Sequence, residues 1–389
     1  MHAERRRSRF RWAKSALHAA LILVLIAASS ATGRADGELE RLIRRDIAPM
    51  ALENGAGGAA VAVYVAGAAS FFNFGLAEAA EQRPITPDSL FNLASLRKLF
   101  EVTLLALAVK QGELSLDDTA ADYVTELRQG NYVREVTLGQ LATHTSGLLL
   151  PTDHPPWPRY GYTLPEFLRA LNAWTPDQGQ TPGKQHIYSH AGFVLLQLAL
   201  ERRFAMPIAE LMDRRIFRPL GMTSTVLPSR GADGHAELDV GLMRRAVQGY
   251  SAEGEPIGKP GDQQGYFDFP GTRQVFSTAR DLARFLAAQL GELPVDPLLR
   301  EAMALTRQGV FRISPRNVQA LAWEINDYGG PVITDKPGGL NNASSYVGMV
   351  TSNKLGIVIL ANRGNQHPYE IARHSTLPAL ARMLRYQIR

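Results

Sequence analysis

Strand-like apolar segments lie at the two ends of this chain, and segments of helical period fill the space between. Near the N-terminus, Ala60–Ala66 and Ser70–Gly75 read as the strands of a hairpin. Near the C-terminus, Ala320–Ile325, Ser344–Val350 and Leu355–Ala361 read as strands, the last two joined by a turn over Thr351–Lys354. Between them, helices are predicted over Leu96–Val109 (ended by Gly112), Thr137–Thr143, Leu164–Ala173, Ala191–Glu201 and Ile208–Ile216. Further helices are predicted over Gly37–Ala51, from Thr278, and over Leu377–Tyr386. This order predicts an α/β fold of the α+β kind. One antiparallel sheet is built from both chain ends and flanked by helices, and a mostly helical subdomain is inserted into it, with the functional site in the seam. The expected boundaries are residues 36–92 with 270–389 for the sheet part and 93–269 for the helical part.

Arg5, Arg6, Arg7, Arg9, Arg11 and Lys14 precede an apolar run, Ala16–Ala28, interrupted only by His18. Small residues follow through Ala31 and Ala35. This is the pattern of a secretory signal peptide over residues 1–35, cleaved after Ala31 or Ala35. The run falls short of the roughly 20 residues of a membrane span. The expectation is a periplasmic protein with no stable membrane association after cleavage. Residues 1–35 hold seven of the 42 basic residues and one of the 37 acidic ones. The remainder, with 35 basic and 36 acidic residues, is close to neutral, which removes any case for nucleic-acid binding. The absence of cysteine excludes disulfides, thiol nucleophiles and thiolate metal sites.

Ser95 and Lys98 are three apart at the start of a predicted helix, and so share one face of it. A serine hydroxyl is a poor nucleophile until a base takes its proton, and an amine is a base only when neutral, a state that burial and a second cation favour. Lys336 is the candidate for that cation. Tyr188, in Pro182-Gly-Lys-Gln-His-Ile-Tyr-Ser-His-Ala-Gly192, is a phenol able to relay a proton to a leaving group. Lys336-Pro337-Gly338-Gly339 is expected to form the strand bordering the site, with the proline on its open edge. The backbone N–H groups of Ser95 and Gly339 are then candidate oxyanion donors. His186 and His190 are four apart, a helical metal spacing, but no third ligand joins them in a recognisable motif, so no metal and no cofactor is expected.

Taken together, these residues make the chain resemble the penicillin-recognising serine hydrolases, and the class C β-lactamases within them. Phe91-Asn-Leu-Ala-Ser-Leu-Arg-Lys98 is similar to that family's F-E-L-G-S-V-S-K. Leu141-Ala-Thr-His-Thr-Ser-Gly147 is similar to L-A-T-Y-T-A-G, and Pro182–Tyr188 to P-G-T-X-R-X-Y. Ala322-Trp-Glu324 is similar to G-W-E, Ser344-Ser-Tyr-Val347 to G-S-Y-V, and Ile357–Asn362 to I-V-M-L-A-N. The resemblance covers nearly all of the chain from about Leu42 to the last helix.

The resemblance implies that Ser95 is acylated, that Lys98 and Tyr188 share the proton work, that Lys336 tunes their charge, and that the Ser95 and Gly339 amides hold the oxyanion. It also marks departures at the substrate-binding positions. Tyr188-Ser189-His190 stands for Y-A-N, and this histidine is larger than asparagine and can titrate. Lys336-Pro337-Gly338 stands for K-T-G and lacks its hydroxyl. A family glutamine falls near Thr152, and an asparagine and an arginine of the substrate-carboxylate contact fall near His367 and Glu370. The implied activity is opening of β-lactam amides through an acyl-enzyme. The alternatives are a D-alanyl-D-alanine carboxypeptidase, endopeptidase or esterase using the same site, and a non-catalytic binder of cell-wall fragments. The expected partner is a small β-lactam or a peptidoglycan peptide, and the expected state is a monomer.

Overall fold

The computed structural model describes residues 37–51, 56–65, 67–150, 163–176, 181–229, 236–261 and 274–387. The expected export segment, residues 1–35, and Thr152 lie outside the described residues. Residues 37–46 belong to a separate unit and are helical, as the spacing of Leu39, Leu42 and Ile43 predicts. The chain from Ile47 onward is one compact unit.

Its frame is a nine-stranded antiparallel sheet. The strands are β1 (Gly58–Val65), β2 (Ala68–Glu78), β3 (Arg83–Pro84), β4 (Phe311–Ser314), β5 (Asn317–Gln319), β6 (Glu324–Asn326), β7 (Ile333–Leu340), β8 (Ala343–Val350) and β9 (Leu355–Ala361). Their order is β3-β2-β1-β9-β8-β7-β6-β5-β4, so the N-terminal hairpin docks on the C-terminal strand. Val61 pairs with Ile359 and Val63 with Ile357 across that junction. The continuous apolar run of β9 is explained by burial on both faces. Val358 and Leu360 join the main core together with Phe285 and Leu286, whereas Ile357 and Ile359 are buried outside that cluster.

Between the strands of the two ends lie α1 (Arg97–Lys110), α2 (Leu138–Ala142), α3 (Leu164–Ala173), α4 (His190–Phe204), α5 (Ile208–Met212), α6 (Ala279–Gln289) and α7 (Pro297–Thr306). The last helix, α8 (Leu377–Gln387), follows β9. Every residue of α1 from Arg97 to Ala108 is buried, so this helix is a central pillar rather than an amphipathic surface helix. Helix α3 starts at a capping box in which Thr163 and Glu166 satisfy each other's backbone N–H groups.

Two sequence expectations need correction. Ala320–Ile325 is not one strand. Residues 320–323 reverse the chain between β5 and β6, with Ala322 in the left-handed region at φ 55°. The Gln319 amide donates to the Ala320 and Trp323 carbonyls and closes this turn, which sets Glu324 beside β7. The helix expected over Ile208–Ile216 is α only to Met212 and continues as a π turn over Asp213–Phe217. The turn after β8 is a 3₁₀ turn closed by Lys354 at φ 48°.

Asn362, fully buried just after β9, ties the two chain ends together. Its carbonyl accepts from Gly58 N at 2.8 Å, and its amide reaches the carbonyls of Leu76, Ala77 and Gln248. Removing it strands buried backbone groups, each at a cost of about 1–3 kcal/mol. Asn362→Ala is expected to lower the unfolding free energy by at least about 2 kcal/mol, read as a lower urea midpoint at unchanged slope.

Candidate active site

The turn that carries Ser95 is strained. Ala94 lies in the left-handed region at φ 49°, and the Asn92 side chain accepts from its N–H at 3.0 Å. Ser95 follows in a 3₁₀ turn, Ala94–Leu96, that runs directly into α1. The i, i+3 spacing then sets the Lys98 Nζ 3.4 Å from Ser95 Oγ, with Lys98 buried. From the helical side, the Tyr188 hydroxyl donates to Ser95 Oγ at 2.9 Å. Two ammonium groups approach the Tyr188 ring, Lys98 at 5.1 Å and Lys336 at 5.0 Å from its centroid. Burial pushes the phenol up, but the charges of Lys98 and Lys336, with the hydrogen bonds to Ser95 and Lys98, outweigh it and hold Tyr188 below its usual range. Although 36% of Tyr188 is exposed, its hydroxyl end sits among these groups.

Strand β7 supplies the opposite wall. Pro337 pairs with Tyr346 of β8 on one side, while β6 pairs with β7 only at residues 333–335, so the proline faces an open edge as expected. A Cβ on Gly338 would stand 2.9 Å from the Leu93 carbonyl and 3.1 Å from Ser95 N. Glycine is therefore what lets this strand lie against the Ser95 turn. The Ser345 hydroxyl donates to the Leu93 carbonyl at 2.8 Å and holds the two together.

The structure thus brings Ser95, Lys98, Tyr188, Lys336, Pro337, Gly338 and Gly339 to one place, and His190 joins them at one side. Two cavities meet at Ser95. The larger, ≈ 310 Å³, is lined among others by Tyr188, Glu324, Lys336, Pro337 and Tyr369. The smaller, ≈ 50 Å³, is lined among others by Arg97, Lys98, Glu101 and His190. The surroundings of His190 set its protonation. Burial, together with the charges of Lys98, Lys336 and Arg97, holds it well below the ordinary histidine range, and it is neutral near pH 7. His186 precedes α4 rather than sharing its face, and its ring bonds Gln319 at 2.9 Å. Among the described residues no cluster of metal-ligating side chains occurs.

Several site residues were not singled out from the sequence. Glu324 pairs at 3.3 Å with Lys336, itself 2% exposed. Arg373 bridges Glu324 at 2.8 Å and Asp335 at 2.6 Å, and Asp335 also accepts from Tyr346 and Asn326. Asp335 beside Lys336 inside a strand-like segment was the available signal. Arg373, on a distant turn, offered none. In the smaller cavity Arg97 pairs with the buried Glu101 at 2.6 Å and also bonds Gln197. His144 lies stacked on Tyr188, with centroids 4.1 Å apart, and its Nδ1 accepts from Ser189 N at 3.2 Å. Its backbone carbonyl accepts from Ile187 N, so His144 aligns the segment that carries Tyr188.

Comparison with known proteins shows the family and the fold. The family model described as Beta-lactamase matches residues 39–380. The chain is 26% identical to a beta-lactamase of Psychrobacter immobilis over 389 aligned residues, covering 90% of this chain and 89% of the relative. A solved class C beta-lactamase superposes with a TM-score of 0.73 at 25% identity, covering 92% of this chain and 97% of that one. A beta-lactamase/D-alanine carboxypeptidase from Pseudomonas syringae does so with a TM-score of 0.73 at 26% identity, covering 87% and 99%.

Buried His144 makes a testable contribution to stability. Burial first, then the charges of Lys336 and Lys98, hold it well below its unfolded value of 6.5. As pH falls below about 6.5 the unfolded chain binds this proton and the folded one does not, so stability present above that pH is lost below it. The expected share is about 1.4 kcal/mol per pH unit. Urea unfolding between about pH 7.5 and about pH 5.5 should therefore show a shallower pH slope for His144→Phe than for wild type. Equal slopes would mean that His144 is not held neutral.

Proposed function

Since this chain belongs to the beta-lactamase family and is a hydrolase of that type, we propose that it works through an acyl-enzyme on Ser95. The observation that carries this reading is the convergence of the Tyr188 hydroxyl at 2.9 Å and the Lys98 ammonium at 3.4 Å on one serine oxygen. Ser95 Oγ attacks the substrate carbonyl while its proton passes to the Tyr188–Lys98 pair. The N–H groups of Ser95 and Gly339 receive the developing oxyanion. Breakage of the carbonyl–nitrogen bond follows, and the nitrogen takes up the proton that Ser95 gave up, returned by Tyr188; in a β-lactam this nitrogen stays tethered to the acyl group. Water then hydrolyses the ester by the same steps in reverse. The lowered phenol and the two flanking ammonium groups support Tyr188 as the shuttle.

The substrate class is a β-lactam amide. A second reading, D-alanyl-D-alanine peptidase chemistry at the same serine, is favoured by the likeness to the Pseudomonas syringae protein, whose description carries both activities. The two differ in the fate of the acyl-enzyme, which a lactamase clears and a peptidase retains. The Arg-rich start and short apolar run support export to the periplasm. Among the described residues no helix is long and apolar enough to cross a membrane.

Mass spectrometry of the protein mixed with a penicillin is expected to show a transient mass gain on Ser95. Persistent acylation would indicate the peptidase, and no acylation would sink the reading. Ser95→Ala is expected to abolish labelling. Tyr188→Phe is expected to slow acylation by about 10²–10⁴-fold, the range of a positioned acid–base group. Gly338→Ala, which crowds the Ser95 turn, is expected to cost about 10²–10³-fold in acylation, comparable to loss of one oxyanion donor. Its unfolding midpoint is the control for a merely structural effect.

A further inference from the structure

The backbone is fixed on both sides of Ala94 and Ser95. Phe91 pairs with Ser277 and Asn92 with Phe276, and the Leu93 N–H donates to the Val275 carbonyl at 2.9 Å. The Leu93 carbonyl accepts from Ser345 Oγ at 2.8 Å and from Leu96 N at 3.1 Å. On the far side, the Arg97 N–H donates to the Ala94 and Ser95 carbonyls as α1 begins. Two held segments therefore meet at these two residues, and the joint between them is the left-handed Ala94 at φ 49°.

This conformation is costly for alanine, whose Cβ crowds the following carbonyl oxygen, and nearly free for glycine. In F-E-L-G-S-V-S-K, the motif that residues 91–98 resemble, glycine stands at the position of Ala94. The methyl group of Ala94 is buried in a cluster with Leu340 and Ala343, at the end of β7 and the start of β8, which gives a side chain something to pack on. What holds the backbone in place is Asn92. Its Oδ1 accepts from the Ala94 N–H at 3.0 Å, the turn that an asparagine makes with the backbone two residues on. Asn92 is 7% exposed, and its Nδ2 is buried with no hydrogen-bond partner among the described residues. The acceptor oxygen is thus the polar atom through which this side chain acts.

The peptide unit between Ala94 and Ser95 carries the Ser95 N–H, so the φ and ψ of Ala94 aim that N–H. They also set the start of the turn from which Ser95 Oγ reaches Lys98 and Tyr188. We propose that Asn92 is a positioning residue for Ser95. By holding Ala94 left-handed, it aims the Ser95 N–H at the oxyanion and sets Oγ between Lys98 and Tyr188. This role rests on the reading of Ser95 as the acylated nucleophile. An oxyanion donor acts on charge that develops in the transition state, so misaiming it slows acylation at saturation more than it weakens binding.

The test is single-turnover acylation by a penicillin, followed by mass spectrometry over a range of concentrations. Asn92→Ala is expected to lower the maximal acylation rate by about 10²-fold, the cost of a small misplacement of a reacting group, with little change in the half-saturating concentration. Asn92→Asp keeps an acceptor for the Ala94 N–H and is expected to lie nearer wild type than Asn92→Ala. Ala94→Gly is expected to change the wild-type rate little but to restore much of the rate lost in Asn92→Ala, because glycine adopts the turn unaided. Rates are read on protein that is folded by its urea midpoint, so the rescue reports geometry and not the folded fraction. A wild-type rate in Asn92→Ala, an aspartate variant as slow as the alanine one, a loss confined to the half-saturating concentration, or no rescue by Ala94→Gly would overturn the proposal. Where Asn92→Ala does not fold, Asn92→Ser, whose hydroxyl makes the same turn more weakly, is judged by the same outcomes. No acylation of wild type at Ser95 would overturn the acyl-enzyme reading and this role with it, whereas an acylated wild type with unaffected variants would overturn the positioning role alone.

Discussion

The structure depends on one close approach. Strand β7, from the C-terminal part of the chain, runs against the turn at Leu93–Ser95, from the N-terminal part. Gly338 permits it, because any Cβ there would press on the Leu93 carbonyl and Ser95 N. The Ser345–Leu93 hydrogen bond spans 252 positions in sequence and closes it. Without this contact there would be a serine at the head of a buried helix and a lysine on a strand, but no cleft between them. The sheet order makes the contact possible, since β1 beside β9 brings both chain ends into one frame.

On this frame the site is an exercise in charge balance. Two ammonium groups at about the same distance from one phenol depress it, which is what the proposed role of Tyr188 as a proton shuttle requires. Lys336 is nearly sequestered, and a buried charge without a partner is unstable. Glu324 supplies the partner, Arg373 holds Glu324, and Asp335 holds Arg373. The chain of pairs ends at Tyr346 and Asn326, which hydrogen-bond Asp335. Each member is justified by the next.

The helical side is organised by shape as much as by charge. His144, at φ 55°, turns its ring beneath Tyr188 while its carbonyl and Nδ1 bind the backbone on either side of that residue. Burial and neighbouring cations keep the imidazole neutral, which suits an acceptor at Nδ1. His190 is held neutral for the same reason and acts as a wall of the smaller cavity, beside the buried Arg97–Glu101 pair.

Local periodicity carried much of this. The apolar runs at 60–66 and 355–361, the pillar beginning near Leu96, and the Leu164–Ala173 helix were legible because burial imposes its period on every few residues of sequence. Ser95 with Lys98 was legible because a helix turns three neighbours onto one face, and Tyr188 and Lys336 because their order and surrounding residues resemble a known set. The break at 320–323 was not legible, since its cause is Gln319 folding back on the turn and Ala322 donating to the Ala142 carbonyl far away in sequence. By itself the sequence determined most of the elements, their order and the neighbour of Ser95 on its helix face, all properties of neighbours along the chain. The tertiary structure alone decided that Glu324 and Arg373 neutralise Lys336, that His144 lies under Tyr188, and that a glycine admits β7 to the Ser95 turn, because pairing and packing across hundreds of residues depend on distances in space that no local pattern encodes.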